Sequence, residues 1–165
     1  MALEPAITDL EQLRERAAVA SLLGWNADAV EAAKFDRGEL TVWIRREFIR
    51  DAVAMLKDDR SLRYNYLSDV TCVDWYPVEP RFEVVYHLLS IPNKDRVRLK
   101  VKLAGDDPRL ESITSEFPSA NFYEREVFDL FGVRFEGHPY LRRIMMPEDW
   151  EGHPLRKDYP VEGYR

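Results

Sequence analysis

Apolar and polar positions in the first part of the chain follow the two periods that distinguish helices from strands. Leu and Ala recur at helical spacing after a capping residue, Thr8 or Asp9, which predicts a helix to about Leu23. Residues 40–44 alternate as a strand, and residues 46–57 place their apolar side chains on one helical face. This part of the chain therefore predicts a helix, a strand and a helix in that order.

The middle of the chain carries the period of β-strands. Residues 62–76 are rich in Tyr, Val, Thr and Trp and predict a strand. The segments 81–91 and 96–103 flank a Pro-Asn-Lys-Asp turn, and the second alternates strictly between apolar and basic residues. They predict a β-hairpin with one apolar face, in a register that pairs Leu88 with Leu99. The basic face is typical of a solvated strand surface; contact with an acidic partner is the alternative.

The last third of the chain changes from helix to a segment without a period. Residues 107–117 predict a short helix that starts at Asp-Pro, and residues 119–131 predict a second one that Gly132 ends. Residues 132–165 contain four Gly and four Pro, with no sustained period of either kind. We expect an α+β fold, with a small mixed or antiparallel sheet flanked by helices in residues 1–131. Residues 132–165 are predicted to form an extended C-terminal arm, called the arm below.

The helix predicted over 119–131 has an acid inside its apolar face. Glu124 falls in the apolar sector, where a carboxylate is costly unless it is paired or protonated. Two alternatives stay open: Glu124 reaches solvent from the first helical turn, or it pairs with Arg142 or Arg143 of the arm. The opposite side of the helix carries the charged residues Arg125, Glu126 and Asp129. On that side Arg125 and Asp129 are predicted to form a pair one helical turn apart.

The arm contains nearly the same motif twice. Glu-Gly-His-Pro occurs at 136–139 and again at 151–154, each followed by Leu and two cations. The histidine spacing fits no zinc motif, and no nucleophile elbow or nucleotide-binding glycine loop accompanies it. Gly permits a bend, and Pro holds the preceding His extended. Leu offers an apolar anchor, and the two cations offer ion pairs. We therefore expect a docking arm that is disordered until it lies on a neighbour. The predicted docking residues of the arm are His138, Arg142, Arg143, His153, Arg156 and Lys157.

Composition narrows the classes of function. The formal net charge is −6, from 24 basic and 30 acidic residues, which argues against a nucleic-acid-binding protein. A single cysteine, Cys72, excludes an internal disulfide and cannot hold an iron–sulfur cluster or a thiolate zinc site by itself. The chain has neither an apolar run of membrane-spanning length nor a secretion signal, so we expect a cytosolic protein, or one held to a membrane through something else.

One string of residues resembles a known family. Glu124-Arg125-Glu126-x-x-Asp129-Leu130-Phe131, followed by His138, Arg142, Ile144 and Met145 at their spacings, is similar to the signature of the C subunits, the 30 kDa subunit family, of respiratory NADH:quinone oxidoreductase (complex I). The segments FEVVYHLLS, RLKVKL and MPEDWEGHPLRKDYP add to the resemblance, which covers roughly residues 60–160.

The resemblance implies a non-catalytic scaffold subunit in the peripheral arm of a proton-translocating complex, on the cytoplasmic face of the bacterial inner membrane. It implies contact with the large quinone-site subunit and neighbouring iron–sulfur subunits, which hold the flavin, clusters and quinone, so that this chain binds no cofactor and has no activity alone. The alternatives are the equivalent subunit of a related membrane-bound complex with a hydrogenase-type or ferredoxin-type donor, a free-standing adaptor, and an autonomous enzyme that uses Glu124 or His138 as an acid–base.

Overall fold

A computed structural model describes residues 5–163. Its elements are the helices α1 (Leu10–Leu13), α2 (Ala17–Trp25), α3 (Ile49–Asp58) and α4 (Ala120–Phe131), and the strands β1 (Val30–Asp36), β2 (Glu39–Ile44), β3 (Tyr66–Asp74), β4 (Phe82–Ser90), β5 (Asp95–Leu103), β6 (Arg109–Glu111) and β7 (Arg134–Glu136). The five long strands form one mixed sheet in the order β1-β2-β5-β4-β3, in which β2 and β5 are parallel and the other neighbours antiparallel. The predicted α+β fold with a mixed sheet is confirmed.

The hairpin β4–β5 forms as predicted, with its register shifted by two residues. Leu88 lies opposite Val97 rather than Leu99. A shift of two keeps every side chain on its face, so the apolar face is as predicted. The last pair before the turn is Ser90 with Asp95, and the hydroxyl of Ser90 and the side-chain amide of Asn93 both donate to the carbonyl of Leu62, which attaches the turn to the segment before β3.

The apolar face of the sheet and the helices enclose one hydrophobic core. Its members come from α2, α3, α4 and all five long strands. On the other face the basic row of β5 is partly paired within the chain: Lys100 lies 2.7 Å from Glu83, and Arg98 donates to the ring of His87. No helix within residues 5–163 has the length and apolarity to cross a membrane.

Two predicted helices differ from the structure. The first is interrupted after Leu13, where Arg16 takes an extended conformation and its guanidinium lies 3.6 Å from the centre of the Phe35 ring, and α2 then runs past Gly24 to Trp25. The helix predicted over 107–117 is wrong. Residues 109–111 form β6, because a parallel partner, β7, lies after α4, and pairing buries Leu110.

Helix α4 ends as predicted. Gly132 takes a left-handed conformation with φ of 77°, and its N–H donates to the carbonyl of Phe128. The chain then turns back along β6, so the first residues of the predicted arm, including Val133 and Phe135, are buried in the core.

Candidate functional site

The predicted site residues lie on α4 or on the arm, and the arm packs against the C-terminal half of α4. Asp129 is the centre of this contact. Its side chain is fully buried, and one oxygen accepts the N–H groups of Ile144, Met145 and Met146 at 2.9, 2.7 and 2.8 Å. Its other oxygen lies 2.6 Å from the guanidinium of Arg143. Burial by itself would raise the pKa of Asp129, but the three amides and Arg143 outweigh it and the pKa is lowered.

The predicted pair between Arg125 and Asp129 is therefore wrong. Arg143 takes that partner, because the arm covers this side of α4 and removes it from solvent. Arg125 donates instead to the carbonyl groups of Arg142 and Arg143 at 3.1 Å. Arg125 and Asp129 thus both hold the turn of the arm at residues 142–146. Arg125 binds carbonyl groups of the turn, and Asp129 binds its amide groups.

Arg143 connects three stretches of backbone. One guanidinium nitrogen donates to the side chain and the carbonyl of Asp129, and the other donates to the carbonyls of Trp150 and Gly152 at 2.9 Å. Five donors in a planar fork suit a residue that must bind several acceptors at once. The contact fixes the second Glu-Gly-His-Pro segment on the end of α4.

The arm supplies partners to the carbonyl groups that a helix leaves unsatisfied at its end. The ring of His153 bonds to the carbonyl of Asp129 at 2.9 Å. The amide N–H of Leu155 donates to the carbonyl of Leu130 at 3.0 Å. The guanidinium of Arg156 donates to the carbonyl of Phe131 at 2.6 Å. Cations are favourable at this end of a helix, so Arg143 and Arg156 also stabilise the helix dipole.

The two histidines perform the same task on different parts of α4. His138 bonds through Nε2 to the carbonyl of Asn121 at 3.2 Å, and its Nδ1 accepts the amide of Tyr140. His153 lies beside Phe128 and bonds to Asp129. Burial lowers the pKa of both rings, which favours the neutral form that these contacts use. The doubled motif is thus a pair of attachments to one helix.

A second attachment lies at the far end of the arm, and sequence reasoning missed it. Arg81 lies between two carboxylates, with bidentate contacts to Asp74 at 2.8 and 2.9 Å and to Asp158 at 2.6 and 3.0 Å. The amide of Lys157 also donates to Asp74. Burial would raise the pKa of Asp74, yet Arg81 and the amides lower it to about 2. The only sequence signal was an isolated arginine at the start of a strand.

Glu124 does not meet an arginine. The side chain is buried, and its oxygens accept the hydroxyl of Ser112 at 2.6 Å and the amide of Ile113 at 2.8 Å. Both predicted alternatives, solvent and the pair with Arg142 or Arg143, are therefore wrong. Glu124 lies on the core side of α4, whereas the arm covers the other side.

The remaining predicted residues stay on the surface. Arg142 is exposed beside Glu148 and over the ring of Tyr140, while Glu126 points to solvent, and Lys157 contributes its backbone amide rather than its charge to a contact within the chain. Among the described residues no group of three His, Cys, Asp or Glu side chains is placed to hold a metal ion.

A model of the respiratory-chain NADH dehydrogenase 30 Kd subunit family matches residues 42–165, which include the sheet from the second half of β2 onward, α4 and the arm. The chain belongs to this family. Among similar proteins is the NADH-quinone oxidoreductase C subunit of Roseiflexus sp. (strain RS-1), 52% identical over 134 residues that make up 81% of this chain and 77% of the relative. The C subunit of Geobacter sulfurreducens (strain ATCC 51573 / DSM 12127 / PCA) is 54% identical over 128 residues, 77% of this chain and 78% of the relative.

Two solved structures resemble this member of the 30 kDa subunit family. A trypsin-resistant fragment (1-134) of Nqo5 superposes with a TM-score of 0.64 at 35% identity, over 75% of this chain and 99% of the fragment. A chain of the membrane-bound sulfane sulfur reductase, an archaeal respiratory membrane complex, superposes with a TM-score of 0.70 at 28% identity, over 92% of this chain and 84% of that one. The resemblance seen in the sequence is confirmed.

The outer side of the arm differs from its inner side. Polar groups of residues 138–156 that face α4 are bonded to it, whereas several large apolar side chains of the arm are at least about a third exposed: Tyr140, Ile144, Met145, Trp150, Leu155 and Val161. The expectation that the arm has nothing to lie on within its own chain is corrected by its contacts with α4 and Arg81. In this member of the 30 kDa subunit family the exposed apolar side chains therefore lie on an arm that is bonded to α4 and to Arg81 of the same chain.

Proposed function

We propose that this chain is the C subunit of a proton-translocating NADH:quinone oxidoreductase, complex I, and acts as a scaffold in its peripheral arm. In this role it docks on the large quinone-site subunit and on neighbouring iron–sulfur subunits and supports electron transfer from NADH to quinone. The family match across residues 42–165 carries the proposal, since the similar proteins are named as C subunits of this oxidoreductase.

The geometry supports docking rather than catalysis. The polar groups of α4 and the arm that could do chemistry at their contact are occupied: Asp129 by Arg143 and three amides, and both arm histidines by backbone groups. The exposed side chains of the arm include six large apolar ones beside charged ones such as Arg142, and exposed apolar side chains bordered by polar residues are typical of a protein–protein contact. We further propose that the chain binds no flavin, iron–sulfur cluster or quinone, that it has no activity alone, and that it reaches the cytoplasmic face of the inner membrane only through the complex.

The likeness to the archaeal sulfane sulfur reductase favours one alternative. That protein is named as a respiratory membrane complex of a different chemistry. The equivalent place in a membrane-bound complex with another electron donor is therefore the second candidate function.

The test is affinity purification of the tagged chain from solubilised membranes, followed by identification of the co-purified subunits and assays of flavin, iron and NADH:quinone activity. We expect a large subunit and iron–sulfur subunits with NADH-dependent activity. Recovery of a hydrogenase-like or sulfur-reducing set would favour the alternative, and recovery of the chain alone would contradict both.

A matched pair of variants tests the docking surface. Met145 on the arm and Ile91 in the β4–β5 turn are both 58% exposed, so Met145→Lys and Ile91→Lys change side chains of equal exposed fraction. Only Met145→Lys should reduce the recovery of partner subunits, by tenfold or more, with the thermal stability of the isolated chain unchanged. Equal recovery with both variants would remove the arm from the interface.

A further inference from the structure

Glu124 is enclosed by the fold without a cation. The residue is 0% exposed, and its hydrogen-bond partners are the hydroxyl of Ser112 and the amide of Ile113, both neutral. No ion pair to Glu124 occurs among residues 5–163. An ionised carboxylate in such surroundings loses its hydration and gains only two neutral hydrogen bonds.

The charged groups of the adjoining elements do not supply the missing cation. The adjacent Arg125 donates to carbonyl groups of the arm. The cations of the arm and of α3 form other pairs: Arg143 with Asp129, Arg50 with Glu111, and Lys57 with Glu116. On β7, Arg134 and Glu136 are exposed.

Two titratable groups of the sheet face the same interior. Tyr86 on β4 is fully buried and its hydroxyl has no hydrogen-bond partner within the described residues. Burial raises the pKa of Tyr86, with Glu124 and Cys72 adding to it, and burial also raises the pKa of the Cys72 thiol on β3. Both groups are neutral near pH 7, so neither offsets a charge on Glu124.

We propose that Glu124 is a proton-binding site: the folded chain holds this carboxyl group in its neutral form under mildly acid to neutral conditions, and ionisation weakens the contact between α4 and the turn at 112–114. The hydrogen bonds fit a neutral carboxyl group. In the ionised form the 2.6 Å contact has the Ser112 hydroxyl donating to Glu124; in the neutral form the O–H of Glu124 can donate across the same contact, and Ser112 then donates to the hydroxyl of Thr114 at 2.8 Å. The other oxygen of Glu124 accepts the amide of Ile113 in both forms.

The direction of the pKa agrees with this geometry. Burial raises the pKa of Glu124 from 4.5 to about 7, against the opposing effect of Ser112 and Ile113. The folded chain then binds one more proton than the unfolded chain between these two values. The contribution of Glu124 to the free energy of unfolding is fully present below pH 4.5. It is lost as the pH rises toward about 7 and is absent above that value.

The variant Glu124→Gln separates this proposal from a purely structural role. The glutamine amide reproduces the neutral form, because its N–H can donate to Ser112 and its oxygen can accept from Ile113. The unfolding equilibrium constant of the wild type, relative to the variant, should rise about tenfold per pH unit between about 4.5 and 7, and should be constant above that range. The control is Glu126→Gln on the exposed side of the same helix, which should keep the wild-type pH dependence.

The experiment is a series of urea titrations from pH 4.5 to 8.5, joined to carbon-13 NMR of the glutamate carboxyl groups in the folded wild type. We expect one carboxyl resonance to titrate near neutrality and to be absent in Glu124→Gln. An ionised Glu124 in the folded chain at pH 5.5, or equal pH dependence in wild type and Glu124→Gln, would overturn the proposal. If the variant does not fold, the wild-type carboxyl titration decides alone.

Discussion

Replacing Asp129 by asparagine should release the arm while leaving the rest of the domain folded. The substitution keeps the shape of the side chain and removes its charge. An asparagine oxygen can still accept the amides of residues 144–146, but its NH₂ group then faces the guanidinium of Arg143, which is also a donor. Arg143 would be left without its carboxylate in a site where only 15% of its side chain is exposed.

The size of the effect follows from that burial. Removing one partner of a buried ion pair costs about 3 to 5 kcal/mol, and the lower end applies because Arg143 keeps the carbonyls of Trp150 and Gly152. If the free energy required to open the arm falls by about 3 kcal/mol, the amides that the arm protects should exchange about 150-fold faster. The core lies mainly in the sheet and helices, so the loss should be local rather than global.

Hydrogen exchange followed by mass spectrometry measures this directly. The peptides that contain the amides of residues 144–146 and Leu155 should exchange faster in Asp129→Asn, and trypsin should cut after Arg156 or Lys157 sooner. The peptide of β4 should be unchanged. Glu126→Gln, on the exposed side of the same helix, should exchange like the wild type. Unchanged exchange at 144–146 in Asp129→Asn, or unprotected amides there in the wild type, would refute the account of Asp129 as the anchor of the arm.

Three further outcomes are expected. Gly132→Ala should destabilise more than Gly137→Ala by thermal melting: both glycines have φ of 77°, but a methyl group at 132 would lie 2.5 Å from His153 and Arg156, whereas at 137 it meets open space. Equal melting temperatures would show that the arm yields freely there. Asp74→Asn should lower the free energy of unfolding by about 3 kcal/mol, and Asp158→Asn by less than about 1 kcal/mol. The reason is that the side chain of Asp74 is buried, whereas that of Asp158 is 43% exposed. Urea titrations measure both values, and similar losses in the two variants would contradict this difference. Because the pKa of Asp74 is lowered to about 2 from 3.8, its contribution is complete above pH 3.8 and is lost as the pH falls through about 2, so the acid transition of Asp74→Asn should be shallower than that of the wild type.

The sequence determined the elements whose stability comes from their own period. Strict alternation in β5 and the apolar sector of α4 predicted a hairpin and a helix, and Gly132 marked the end of that helix, because each of these depends on neighbours within a few residues. The same reasoning predicted the faces of the hairpin correctly and its register two residues out, since a shift of two leaves the pattern unchanged. The signature around Glu124 and Asp129 was enough to indicate the family.

Tertiary structure alone decided that Asp129, and not Glu124, receives an arginine. Helical periodicity placed Glu124 toward the core and Asp129 toward solvent, but the arm covers the solvent side and buries Asp129 under Arg143. It also decided that residues 109–111 form a strand, because their partner lies beyond α4. The contact of Arg81 with Asp158 joins residues 77 positions apart. A hydrogen bond between distant polar groups leaves no period in the sequence, because its energy depends on geometry and burial that arise only when the chain has folded.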